Sequence, residues 1–97
     1  MKYKYKLLHI NSAERWISIT SNDDTDFDEP DAFIYFVKMI QRDVNGKITA
    51  VGDIQYKIPE DGFGFIYQWD DLFGITVIYP KTVTEEQAVE YLSKYMG

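Results

Sequence analysis

Two apolar runs, Phe63 to Trp69 and Ile75 to Tyr79, flank the short connection Asp70-Asp71-Leu72-Phe73-Gly74. Both are short, rich in aromatic and β-branched side chains, and bounded by Gly and Pro, which marks strands rather than a buried helix. The stretch FGFIYQWDDLFGITVIYP therefore predicts a central hairpin on which the rest of the chain must be arranged. Within it, Phe65, Tyr67, Ile75, Val77 and Tyr79 share one parity and Ile66, Gln68, Thr76 and Ile78 the other. Successive side chains on a strand point to opposite faces, so the first set predicts a buried face and the second a smaller, more polar one.

Upstream, Lys2, Lys4 and Lys6 alternate with Tyr3, Tyr5, Leu7 and His9, a strand whose lysine face suits a sheet edge guarded against unwanted pairing. Ser12 to Glu14 reads as a turn and Trp16 to Thr20 as the returning strand. Lys47 to Ile58 alternates again, with Ile48, Ala50, Ile54, Tyr56 and Ile58 on one side, and Gly52 in that register predicts a bulge or a close approach. Pro59 to Gly62 reads as the turn that follows.

Asp31 to Asp43, DAFIYFVKMIQRD, carries two conflicting signals. Pro30, acids in front, and Lys38 and Arg42 behind fit a helix. The unbroken run Phe33 to Val37, followed by Asn45-Gly46, fits a hairpin, because that pair supplies the positive φ of a tight turn. The balance favours a strand. After Pro80 the period changes: Thr84 with Gln87 makes a capping box, Val83 and Ala88 a hydrophobic staple, and Ala88, Val89, Leu92, Tyr95 and Met96 an apolar stripe. The expected fold is α+β: one domain over residues 1–97, with an antiparallel sheet of five or six strands, a meander of hairpins, and one C-terminal helix packed on one face.

The 97 residues are 16% aromatic, so ring packing should dominate the core. No cysteine is present, which removes disulfides, thiolate metal sites and Cys nucleophiles. No apolar run approaches the roughly 20 residues that span a bilayer, and MKYKYKLLHIN lacks the features of a signal peptide. A cytoplasmic protein is expected. Net charge is −6 and its location is informative: Asp23, Asp24, Asp26, Asp28, Glu29 and Asp31 fall within nine residues, leaving ten acids against ten Lys and Arg elsewhere. That field opposes nucleic acid and anionic lipid and is compatible with a basic protein partner.

No stretch carries a catalytic, metal or nucleotide motif. Asp24, Asp26 and Asp28 match the opening spacing of a calcium loop, but the sixth position is Glu29 where Gly is needed and the twelfth is Tyr35 where a bidentate Glu is needed. His9 is the only histidine, and its register with Tyr5 and Leu7 suggests a packed, hydrogen-bonded ring. None of Ser12, Ser18, Ser21 and Ser93 has a nucleophile-elbow context. Asp70 and Asp71 beside Trp69 resemble turn acids bonding local N–H groups more than a glycosidase pair, whose carboxyls face each other across a cleft. The expectation is a non-enzymatic protein without metal or cofactor.

A single helix of about 12 residues, roughly 18 Å long, shields two or three strands spaced about 4.8 Å apart. A sheet of five or six strands then needs further cover: its own curl, another protein or a second copy. The functional expectation is a protein-interaction module, such as an inhibitor, immunity-like protein or adaptor. It would contact its partner through Asp23, Asp24, Asp26, Asp28, Glu29, Asp31, Trp69, Asp70, Asp71 and Phe73, with aromatics as anchors and acids as an electrostatic guide. The alternative is a small enzyme or ligand-binding domain with a pocket between sheet and helix.

Overall fold

In a computed structural model that describes residues 4–21, 30–70 and 74–96, the central hairpin forms as expected. Strand β5 (Ile66–Asp70) pairs antiparallel with β6 (Gly74–Ile78), from Ile66 opposite Ile78 to Asp70 opposite Gly74. Around it lie β1 (Tyr5–Asn11), β2 (Trp16–Ser21), β3 (Thr49–Gly52) and β4 (Gln55–Lys57), giving an antiparallel six-stranded sheet of order β1-β2-β6-β5-β4-β3. Phe65, Tyr67, Ile75, Val77 and Tyr79 are buried, whereas Ile66, Gln68 and Ile78 are half-buried on the opposite face. The acidic segment 22–29, the connection 71–73 and the lysine at position 2 lie outside the described residues.

Residues 31–43 are not a strand. They form helix α1 (Pro30–Asp43), and the burial pattern shows why: Phe33, Phe36, Val37 and Ile40, at i, i+3, i+4 and i+7, are buried while Ile34 and Lys38 are exposed. Asn45-Gly46 supplies its positive φ to a helix end rather than to a hairpin. Asn45 has φ 54°, its N–H donates to the Arg42 carbonyl at 3.3 Å, and the Gly46 N–H donates to the Gln41 carbonyl at 2.9 Å. These two bonds make a Schellman cap. The helix crosses from β2, next to the edge strand β1, to β3 at the far edge, so two helices cover the aromatic face where the sequence pattern predicts one.

The strand lost at 31–43 is replaced because Lys47 to Ile58 divides in two at a tight turn over Asp53 and Ile54. Both features expected at Gly52 are present: the register shifts between Ala50 and Gly52, and a Cβ there would meet the Gln55 side chain. A second bulge between Leu7 and His9 reverses the parity of β1. Tyr5, Leu7 and Ile10 face the core side, and His9 is exposed on the other face, its ring 5.6 Å from that of Trp16. The packed His9 expected from unbroken alternation is thus displaced by one inserted residue.

Helix α2 (Glu85–Ser93) begins at the expected capping box: the Gln87 N–H donates to Thr84 Oγ1 at 3.1 Å and the Thr84 N–H to Gln87 Oε1 at 3.0 Å. Its buried stripe is Ala88, Tyr91 and Leu92, continued by Tyr95, with Val89 and Met96 half-buried beside it. Tyr95 packs edge-on against Phe36 of α1, and Tyr91 lies against Phe63 and Phe65, so both helices share one aromatic layer over the sheet.

Candidate interaction surface

Of the predicted site, Asp31, Trp69 and Asp70 are among the described residues, and they lie at one end of the sheet. Tyr5 pairs with Ser21, Asp70 with Gly74, and Gly52 with Gln55, while the Tyr5 hydroxyl donates to the Ala32 carbonyl at 2.8 Å. The start of β1, the ends of β2 and β5, the β3–β4 turn and the first turn of α1 therefore lie together. Asp31, Asp53 and Asp70 sit on these elements. Asp23, Asp24, Asp26, Asp28, Glu29, Asp71 and Phe73 are outside the described residues, but the chain positions flanking them, Ser21 and Pro30, then Asp70 and Gly74, belong to this same end. Asp31 and Asp70, distant in sequence, share this end only because the sheet places β2 beside β6.

Trp69 and Asp70, adjacent on β5, point to opposite faces. Trp69 is half-buried against the core on the helix side, with its indole N–H buried and unpartnered, while Asp70 belongs to the face without helices. Among the described residues, the most exposed large apolar side chain at this end is one that the sequence pattern places in the core register. Ile54 is 49% exposed at the tip of the β3–β4 turn with φ 46°, and its carbonyl accepts the Trp69 N–H at 3.3 Å. A β-branched residue in the left-handed region is an outlier, because its Cβ crowds the backbone. No sequence signal marks it, since Asp53-Ile54 differs from the Asn-Gly pattern that such tips favour.

Along α1 runs an apolar groove of about 160 Å³ between the helix and the β3–β4 hairpin, lined by Phe33, Ile34, Val37, Lys38, Ile48 and Tyr56. Ile34 is 44% exposed on its rim. On the helix-free face, Trp16 lies over a shallow hollow with Gln68, Asp70, Thr76 and Ile78, its indole N–H donating to Glu14 Oε1 at 3.2 Å. Gln55 Nε2 donates to Gln68 Oε1 at 2.6 Å across the same face, on which Ser18, Thr20 and Thr76 are buried.

A larger cleft, about 590 Å³, opens between the 3-10 turn Pro59–Asp61 and α2, lined by Asp61, Phe63, Gln87, Glu90, Tyr91 and Lys94 among others. Of its lining groups, Asp61 and Tyr91 belong to a network of carboxylates and phenols that extends beside the cleft. Tyr67 donates to Asp61 Oδ2 and Tyr95 to Asp43 Oδ2, both at 2.7 Å, with the Tyr91 hydroxyl 3.5 Å from that of Tyr95. Burial raises the phenols of Tyr67, Tyr91 and Tyr95 above the usual tyrosine value, keeping them neutral donors rather than nucleophiles or bases. Lys94 rests over the Tyr91 ring at 4.5 Å. This is a structural network that ties both helices to the sheet.

Among the described residues no group of His, Asp and Glu could hold a metal ion, and no helix is long and apolar enough to cross a membrane. Comparison of the chain with family models, with curated proteins and with solved structures finds no match.

Proposed function

We propose that this chain is a non-enzymatic protein-interaction module, of the inhibitor, immunity or adaptor kind, that acts in the cytoplasm and docks its partner at the acidic end of the sheet. The observation that carries the reading is Ile54, an apolar side chain held half-exposed in a strained backbone conformation next to Asp53. Strain persists where surrounding structure enforces it, and an apolar tip beside an acid suits a partner with an apolar pocket and a basic rim. The net charge of −6 supports the same sign of partner and disfavours nucleic acid. A pocket between sheet and helices, as an enzyme would need, has less support, because Asp61, the buried carboxylate of the α2 cleft, is taken up by the Tyr67 hydroxyl and two backbone N–H groups.

The test is affinity capture with the wild-type chain beside Ile54→Gly and Asp53→Asn variants. A defined partner retained by the wild type, lost with Ile54→Gly and eluted by modest salt supports the reading. Equal retention by all three chains refutes this site.

A further inference from the structure

The outward side of α1 carries a charge pattern that runs beyond the acidic end and that the core does not explain. Asp31, Ile34 and Lys38 fall on one stripe of the helix, opposite the buried Phe36 and Ile40, and all three are exposed. Asp31 precedes Ile34 by three residues and Lys38 follows it by four. At about 1.5 Å rise per residue, the acid and the base stand roughly 4.5 and 6 Å to either side of Ile34 along the axis. Too far apart to pair within one helix, they have no ion-pair partner among the described residues. Beside Ile34 lies the apolar groove formed with Val37, Ile48 and Tyr56, and β3 runs antiparallel to the helix, so that Asp53 adds a second acid at the Asp31 end.

We infer that this stripe is a two-fold contact between two copies of the chain. A two-fold axis through an interface makes every contact reciprocal, residue i meeting j and j meeting i. With the axis passing near Ile34 and the helices antiparallel, Lys38 of each protomer faces Asp31 of the other, and each Ile34 lies against the groove of its partner. Nearly equal spacing about Ile34 is what such an arrangement requires. A uniformly basic partner fits this surface less well, because Lys38 lines the groove itself. The contact borders the acidic end at Asp31 and Asp53 but does not use Ile54, so a monomeric wild type leaves the docking tip standing, and a failure of the Ile54→Gly test leaves this contact standing.

Sedimentation equilibrium tests it with the wild type, Lys38→Asp, Asp31→Lys and the double swap Asp31→Lys/Lys38→Asp. Circular dichroism would confirm that each variant keeps its fold. The wild type is expected to self-associate. Lys38→Asp alone turns two attractive pairs into two repulsive ones and should weaken association about tenfold or more. The double swap restores the pairing and should recover dimer, although it keeps the unfavourable lysine at the helix start. A wild type that stays monomeric up to about 1 mM overturns the inference. So does unchanged association in Lys38→Asp, or a double swap that stays as weak as the single variants.

Discussion

The Tyr67 hydroxyl donates to Oδ2 of Asp61 at 2.7 Å, and both side chains are buried. The other carboxylate oxygen accepts the N–H groups of Phe63 and Gly64 at 2.7 and 2.9 Å, so one side chain holds the turn that leads into β5. Asp61→Ala leaves the phenol and two N–H groups without their acceptor and is expected to cost about 3 kcal/mol; Tyr67→Phe, which removes one bond, should cost about 1 to 2 kcal/mol. Urea denaturation measures both. A near-neutral Asp61→Ala would mean that water replaces the carboxylate and that the network adds little.

The same phenols set the alkaline limit of the fold. Tyr67, Tyr91 and Tyr95 titrate above the usual value near 10, with burial as the largest cause in each. Between the unfolded and folded pKa values the native state holds protons that the unfolded chain has lost, so stability falls as pH rises. Their contribution is therefore complete below about pH 10 and is lost above it. Near-ultraviolet absorbance should show part of the phenolate signal appearing together with loss of the circular dichroism signal. Full ionisation of all eight tyrosines before any unfolding would contradict the assignment.

Gly46 stands where the chain leaves α1, and a Cβ there would come within 2.7 Å of both Ile58 Cγ2 and Glu60 Oε1. Gly46→Ala is expected to destabilise by about 1 to 3 kcal/mol through overpacking. Asn45→Gly keeps the left-handed cap and should change stability by only a few tenths of a kcal/mol. If Gly46→Ala is as stable as the wild type, the Ile58–Glu60 segment is softer than its contacts imply. This pair also explains why α1 was illegible. Asn-Gly reports a positive φ, and both a hairpin turn and a Schellman cap use one. The deciding evidence is the burial of Phe33, Phe36, Val37 and Ile40, which the unbroken apolar run Phe33 to Val37 conceals by adding Ile34 and Tyr35 to the pattern.

Helix α2 was legible because its signal is local. Thr84 and Gln87 exchange both capping bonds within four residues, so no tertiary knowledge is needed to see them. Thr84→Ala should cost about 1 kcal/mol by urea denaturation, and Thr84→Ser much less. Equal stabilities for Ala and Ser would show that packing of Tyr91 and Leu92 fixes the helix start unaided. The hairpin parity of Phe65 to Tyr79 was readable for the same local reason. By contrast, the placement of Asp31 and Asp70 at one end depends on β2 lying beside β6, a pairing between distant stretches that no short pattern records.

Ile54 separates stability from binding. Its φ of 46° costs an isoleucine about 1 to 2 kcal/mol, whereas glycine adopts that conformation freely but loses about 0.5 to 1 kcal/mol more chain entropy on folding. Half of the side chain is already in water, so little buried area is forfeited on its removal. Ile54→Gly is therefore expected to be as stable as the wild type or more stable, by up to about 1 kcal/mol, while losing the partner. Thermal and urea denaturation give the first quantity and affinity capture the second. A variant destabilised by more than about 1 kcal/mol would show that packing against the end of β5 outweighs the strain, which would leave Ile54 a structural residue and remove the main support for a docking tip.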